Sequence, residues 1–138
     1  MINAMTDPTA QNSQGKTGDL FVVLCASGFE NVERVRSALM FATLAASAEF
    51  KTILYCIQGG VDVMVKGAIE KNEVTRPGLP TIKQRLDEAI EMGVEIQCCS
   101  QTMANRKLTE QDLIPGIKVA GAMNLIALAA KAKGTLSF

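Results

Sequence analysis

The fold is decided by residues 79–108, which read LPTIKQRLDEAIEMGVEIQCCSQTMANRKL. Thr81 and Gln84 have the spacing of a capping box, and Gly93 stands where a helix commonly ends in a glycine. The stretch therefore predicts a helix over residues 82–92, followed at once by a buried strand that ends in two cysteines. A helix that runs directly into a buried strand is typical of an α/β chain.

The same alternation extends in both directions from this stretch. Apolar runs predict strands over residues 20–26, 51–57, 94–98, 117–119 and 135–138, and helical patterns fall over 29–48, 63–69 and 122–133. Ser27 and Glu30 form a second capping-box spacing that predicts the start of the first helix, and Asp62 is a candidate cap for the short one. The order of elements predicts a three-layer α/β/α fold with a mainly parallel sheet of about five strands.

The length of 138 residues suits one domain. We expect this single domain over residues 19–138, and a disordered tail over residues 1–18, which are polar and lack the basic and apolar regions of a secretory signal. No apolar run approaches the roughly 20 residues that span a bilayer. We therefore expect a cytoplasmic protein that does not bind membranes.

Composition excludes several classes of function. Fourteen basic residues balance fourteen acidic ones and aromatic residues make up only 4%, so a nucleic-acid partner is not expected. The chain has no histidine, which excludes Ser-His and Cys-His dyads and any zinc site that needs imidazole. Neither of the glycine-rich nucleotide-binding patterns, G-x-x-x-x-G-K-[ST] and G-x-G-x-x-G, is present. We expect no cofactor and no bound metal.

Reactive groups in an open parallel sheet collect beyond the carboxyl ends of the strands. Cys99 follows such a strand end and precedes a turn that can begin a helix, where backbone amides favour the thiolate. We predict Cys99 as the nucleophile. Candidate supporting residues lie at this strand end and at the two neighbouring ones: Cys98, Ser100, Gln101, Thr102, Ser27, Gly28, Gly59, Gly60 and Cys56. We interpret the glycines as residues that allow tight turns between a strand and the following helix.

The remaining cysteines fit the core better than a site. Cys25 lies among valine, leucine and alanine, and Cys98 alternates with inward-facing residues of its strand. Cys56 also suits the core, with an approach to the site from the neighbouring strand left open. A disulfide between Cys98 and Cys99 would require strained geometry. Arg106 and Lys107 would add positive charge near Cys99 if the chain folds back.

The stretch over residues 79–108 resembles the DsrE/DsrF/YchN-like sulfur-relay proteins. Their pattern of a helix, Gly-Val, a short strand, a cysteine and a Ser or Thr three residues later is matched by Gly93, Val94, Cys99 and Thr102. The closing stretch GIKVAGAMNLIALAAKAKGTLSF is similar to the strand, helix and strand that end the family, and the likeness covers about residues 19–138. The resemblance implies a layered α/β/α fold, a homotrimer or hexamer, and a persulfide on Cys99. It also implies a TusA-like sulfur carrier or a heterodisulfide-reductase-like system as partner. The doublet of Cys98 and Cys99 departs from the pattern and leaves the role of a second thiol open.

Together these observations predict a sulfur carrier or sulfurtransferase in sulfur oxidation, with Cys99 as the thiol that holds the sulfur. One alternative is a non-catalytic oligomeric binding or scaffold module with only structural cysteines. Another is a redox sensor in which Cys56 or Cys98 resolves an oxidised Cys99. Helical segments around residues 40–46 and 125–129 carry more apolar surface than one sheet face covers, so self-association is expected on this ground as well.

Overall fold

Five strands form one sheet in the order β4-β3-β2-β1-β5, and every neighbouring pair is parallel. The structure is a computed structural model that describes residues 18–138, so all but the last residue of the predicted tail lies outside the described part of the chain. The strands are β1 (Leu20–Cys25), β2 (Lys51–Cys56), β3 (Glu95–Cys99), β4 (Lys118–Ala120) and β5 (Gly134–Ser137).

Helices connect these strands on both faces of the sheet. They are α1 (Val32–Ser47), α2 (Gly59–Val63), α3 (Ala68–Asn72), α4 (Ile82–Glu91), α5 (Ser100–Asn105) and α6 (Ala122–Lys131), with a single 3₁₀ turn over Glu110–Asp112. The chain moves one strand at a time from β1 to β4, and α6 then carries it back across the sheet to β5.

The main core lies between the sheet and the helices α1 and α4. Val23, Leu54 and Ile96 point from neighbouring strands into this layer, where they cluster with Leu39 of α1 and Leu86 of α4. Because successive side chains of a strand face opposite ways, the intervening residues lie beneath α6 on the other face. The arrangement confirms the predicted α/β fold, with a five-stranded, all-parallel sheet flanked by helices.

The capping box at Thr81 is present as predicted. The Gln84 amide donates to the Thr81 hydroxyl at 3.0 Å, and the Thr81 amide donates to the Gln84 side chain at 2.8 Å. The helix ends before Gly93, which has a φ of +95°. A left-handed φ of this kind suits glycine because it has no Cβ.

The capping box predicted for the first helix is wrong. Glu30 accepts a hydrogen bond from the Gly28 amide at 2.9 Å, and the helix begins only after Asn31, whose side chain accepts from the Arg34 amide. The helix predicted over residues 63–69 is also wrong. This region holds the ends of two short helices, α2 and α3, separated by Gly67 at a φ of +78°.

Among residues 18–138, no helix combines the length and the hydrophobicity that crossing a bilayer requires.

Candidate functional site

Cys99 is the last residue of β3 and directly precedes α5. Its side chain shares a sheet face with Gln97, two residues earlier, while Cys98 points into the main core on the opposite face. The Cys99 residue is 6% exposed. The thiol therefore stands at the rim of the sheet, at the strand ends where parallel sheets bind ligands.

The environment of Cys99 favours the thiolate. Burial opposes ionisation, but the amides of Thr102 and Gln101 and the hydroxyls of Tyr55 and Thr102 lie where they can donate to a charged sulfur, and they hold the pKa of Cys99 below its ordinary value. Hydrogen bonds to the charged form outweigh the effect of burial at this site. Since the thiolate is the nucleophilic form of cysteine, a lowered pKa increases the nucleophilic fraction of Cys99 at neutral pH.

Thr102 joins the site to the neighbouring strand end. Its hydroxyl accepts a hydrogen bond from the Gln58 amide at 3.2 Å, which ties α5 to the turn between β2 and α2. Gln58 has a φ of +50°, a backbone conformation that non-glycine residues adopt at a cost. Thr102 is buried, so its hydroxyl both stabilises this turn and faces Cys99.

The wall on the far side of Cys99 comes from β4. Ala120 is the register partner of Cys99, and its carbonyl accepts a hydrogen bond from the Tyr55 hydroxyl at 2.9 Å. Gly121 then forms the N-cap of α6, and a Cβ built on it would lie 3.7 Å from the Ser100 hydroxyl oxygen. The predicted residues Ser100, Gln101 and Thr102 thus follow Cys99 in α5, against the start of α6.

The other three cysteines form a row on the opposite face. Cys25 pairs in register with Cys56, and Cys56 with Cys98, across β1, β2 and β3. Burial raises the pKa of Cys25 to about 11. The hydrogen bond with Cys98, together with burial, raises the pKa of Cys56. These thiols are free, and the thickness of the sheet separates them from the Cys99 side chain.

The glycines at the ends of β1 and β2 permit two turns to approach each other. A Cβ on Gly28 would lie 2.8 Å from the Gly59 carbonyl carbon, and one on Gly60 would lie 3.1 Å from the Cys25 carbonyl carbon. Ser27 is buried beside them, and its carbonyl accepts a hydrogen bond from the Cys25 thiol at 3.4 Å. These contacts agree with the interpretation of the glycines as turn residues, since the nearest neighbour of each Cβ position is a backbone atom.

Arg106 does not add charge at Cys99. Its guanidinium forms two hydrogen bonds with the Asp62 carboxylate, at 2.6 Å and 3.2 Å, beyond the far end of α5. Lys107, the next residue, has a φ of +56°. The Arg106 charge expected to face the thiolate is thus engaged with Asp62, and the groups that lower the pKa of Cys99 are neutral amides and hydroxyls.

Two cavities of the described chain lie away from Cys99. One of 510 Å³ is lined by residues between 29 and 36 and between 72 and 81, and one of 590 Å³ by residues between 62 and 72 and between 106 and 108. Within residues 18–138, no group of three His, Cys, Asp or Glu side chains could hold a metal ion. The Cys99 thiol lies at the rim of the sheet and lines neither of these two cavities.

Tyr55 is the site residue that the sequence analysis missed. It is the single tyrosine of the chain and is completely buried, on the face of β2 opposite to Cys56. Strand alternation is enough to predict that Tyr55 and Cys56 lie on opposite faces of the sheet. The contact between Tyr55 and Cys99, however, depends on the register in which β2 pairs with β3. That register is a long-range property, and no local motif encodes it.

Comparison with protein families identifies residues 19–138 as matching the DsrE/DsrF-like family. An uncharacterized protein of Methanocaldococcus jannaschii is 30% identical over 118 residues, which cover 86% of this chain and 98% of that protein. An uncharacterized protein of Methanopyrus kandleri is 29% identical over 108 residues, which cover 78% of this chain and 84% of that protein.

Solved structures share the fold. The ychN protein of E. coli superimposes with a TM-score of 0.68 at 18% identity, over 88% of this chain and 100% of that one. A protein of unknown function from Methanobacterium thermoautotrophicum gives a TM-score of 0.62 at 16% identity, over 88% of this chain and 99% of that one. At these identities the similarity concerns the arrangement of strands and helices.

Proposed function

The chain belongs to the DsrE/DsrF-like family, and on this premise we propose that it is a sulfur carrier or sulfurtransferase. Cys99 accepts sulfane sulfur or a thiosulfonate group and passes it to another sulfur-trafficking protein, in sulfur oxidation. The observation that carries the proposal is the contrast among the thiols: the pKa of Cys99 is lowered by hydrogen bonds, whereas the pKa values of Cys25 and Cys56 are raised.

The chemistry is an exchange at divalent sulfur. The Cys99 thiolate attacks the outer sulfur of a persulfide, the bond between the two donor sulfurs breaks, and the donor leaves as a thiolate with the electron pair of that bond. With tetrathionate, attack on an inner sulfur forms a Cys99 thiosulfonate adduct and releases thiosulfate. Neither exchange needs an external oxidant or reductant. The amides of Gln101 and Thr102 support the anionic sulfur before attack.

In the second transfer the Cys99 sulfur is the leaving group, whereas in the first it is the nucleophile. A thiolate of the acceptor attacks the outer sulfur on Cys99, and Cys99 leaves as the thiolate that its hydrogen bonds favour. A leaving thiol of lowered pKa departs faster, so the same contacts assist loading and release. We propose a TusA-like sulfur carrier or a heterodisulfide-reductase-like system as the partner, as the family resemblance implies.

We also propose that copies of this chain associate, as a trimer or hexamer. Met123 and Ile126 on α6 are 76% and 59% exposed, and Leu44 on α1 is 54% exposed. Apolar surface of this kind favours burial against a partner. Ile126→Lys is expected to shift the sedimentation coefficient toward that of a monomer, whereas Lys131→Gln on the same helix leaves it unchanged. A wild-type chain that sediments as a monomer would contradict this proposal.

Intact-protein mass spectrometry tests the function. Reduced wild-type protein is incubated with polysulfide and, separately, with tetrathionate, and it is compared with Cys99→Ser and Cys98→Ser. We expect a mass increase of one sulfur or one thiosulfonate group that is lost in Cys99→Ser and kept in Cys98→Ser. The two cysteines are adjacent, so the second variant controls for general damage to this strand end. An adduct that survives Cys99→Ser would refute the assignment, and no adduct in any protein would favour a scaffold module.

A further inference from the structure

The side chain of Tyr55 crosses the strand that carries Cys99. Tyr55 pairs in register with Gln97, so its side chain lies on the same sheet face as Gln97 and Cys99. Its hydroxyl reaches the carbonyl oxygen of Ala120, on the strand beyond, at 2.9 Å. Since Ala120 is the register partner of Cys99, the end of the tyrosine ring lies beside the Cys99 sulfur.

The Tyr55 hydroxyl carries one proton and has two acceptors within reach. A phenol donates a single hydrogen bond, and here the Ala120 carbonyl takes it. The Cys99 sulfur is the second acceptor, and as a thiolate it attracts the proton more strongly than a neutral carbonyl does. Because Tyr55 is fully buried, its hydroxyl must donate to one of these two groups in either state of Cys99.

We propose that Tyr55 is a positioning residue whose hydroxyl donates to Ala120 while Cys99 is a thiol and turns to the Cys99 sulfur when that sulfur is charged. This inference rests on the proposed function, since it explains how the carrier thiolate is stabilised. The turn of one O–H bond needs no movement of the ring, because both acceptors lie at the end of the same side chain. The pKa of Tyr55 is itself raised, by burial first and by Cys99 second, so the phenol keeps its proton while Cys99 titrates.

The charged groups on the elements around Cys99 are engaged with one another. Glu95 on β3 pairs with Lys118 on β4 at 3.7 Å, and Asp62 on α2 pairs with Arg106 at 2.6 Å. The first turn of α6 carries no acidic residue, and the three remaining thiols face the opposite side of the sheet. Among the described residues, the tyrosine is thus the titratable side chain that faces Cys99 directly.

The first experiment follows the pH dependence of Cys99 alkylation by iodoacetamide, with the modified cysteine identified by peptide mapping. In Tyr55→Phe we expect the pKa of Cys99 to rise and the alkylation rate at neutral pH to fall by about tenfold, because one hydrogen bond to a charged group is lost. Ile53→Val is the matched control, since Ile53 is buried on the same strand and the same face but has no hydroxyl. Its pH profile should match the wild type. A Tyr55→Phe profile that superimposes on the wild type would overturn the inference.

A second measurement uses the native tyrosine and needs no substitution at it. The chain has one tyrosine and no tryptophan, and its five phenylalanines absorb at shorter wavelengths, so the long-wavelength part of the near-ultraviolet absorbance reports on Tyr55. We expect this signal to change over the pH range in which Cys99 ionises, and to stay constant over that range in Cys99→Ser. A signal that behaves identically in both proteins would overturn the inference even if Tyr55→Phe failed to fold.

The two proposals fail separately. If the wild-type protein takes up sulfur but Tyr55→Phe leaves the pH profile of Cys99 unchanged, the role of Tyr55 is refuted and the proposed carrier function stands. A shifted pH profile in a protein that takes up no sulfur would retain the control of Cys99 ionisation by Tyr55 and refute the carrier function.

Discussion

Replacing Thr102 with valine removes a hydroxyl that serves two parts of the site. The hydroxyl accepts a hydrogen bond from the Gln58 amide at 3.2 Å, and it contributes to the lowered pKa of Cys99. Thr102 is buried and Gln58 is exposed, so in Thr102→Val the Gln58 N–H loses its protein acceptor and is left to solvent. A typical intramolecular hydrogen bond contributes about 0.5–1.5 kcal/mol to stability, and we expect the free energy of unfolding to fall by that amount.

The same substitution is expected to reduce the reactivity of Cys99. Loss of the hydroxyl raises the pKa of Cys99, so the alkylation profile moves to higher pH. Urea unfolding gives the first quantity and the pH dependence of iodoacetamide alkylation the second. Both effects should appear in one variant, because one oxygen atom contacts both the Gln58 amide and Cys99.

Thr102→Ser is the matched control. It keeps the hydroxyl and removes only a methyl group, which costs about 0.8 kcal/mol when the group is buried. The serine variant should therefore keep the pH profile of the wild type and lose about 0.8 kcal/mol of stability at most. The reasoning would be refuted if Thr102→Val matched the wild type in both measurements, or if the serine variant shifted the pH profile as far as valine.

Three further predictions concern the surroundings of the site. Gly60→Ala should lower the free energy of unfolding, measured in urea, by about 1–3 kcal/mol, because the added Cβ would clash with the Cys25 carbonyl. The control Gly121→Ala should differ little from the wild type, because the nearest atom to its Cβ lies at 3.7 Å. Equal losses of stability in the two variants would contradict this prediction. The pKa of Cys25 in the folded state is raised to about 11, so the neutral thiol contributes fully to the free energy of unfolding below the unfolded pKa near 9, and this contribution is lost as the pH rises toward 11. Alkaline pH should therefore lower the free energy of unfolding by about 2–3 kcal/mol. In urea unfolding, Cys25→Ala should lack this share of the decline, and a pH dependence equal to that of the wild type would contradict the prediction. Arg106→Gln should leave the alkylation profile of Cys99 unchanged, because its charge is engaged with Asp62; a shift to higher pH would show that the guanidinium acts on the thiolate.

Local patterns predicted those elements whose stabilising contacts are themselves local. The Thr81 capping box formed as expected because its two hydrogen bonds join residues three apart. The same spacing at Ser27 and Glu30 does not form a capping box, because the Glu30 carboxylate accepts a hydrogen bond from the Gly28 amide instead. A motif with two local solutions does not determine which of them the chain adopts.

The position of Cys99 at a strand end also followed from a local pattern, since strand alternation separates it from Cys98. The contact with Tyr55 did not, because it depends on how β2 and β3 align although residues 57–94 separate them in the chain. The row of Cys25, Cys56 and Cys98 has the same origin: each was correctly expected in the core, but their alignment across three strands is a property of the register.

The most direct test of sulfur relay through Cys99 is a cycle of loading and release with heavy-isotope polysulfide. The protein is loaded, freed of donor, mixed with a small acceptor thiol, and digested, so that the label is located by fragmentation between Cys98 and Cys99. We predict that the label appears on Cys99 alone and then moves to the acceptor, while Cys99→Ser neither loads nor releases it. Label on Cys98, or label that stays on Cys99 in the presence of the acceptor, would contradict the account.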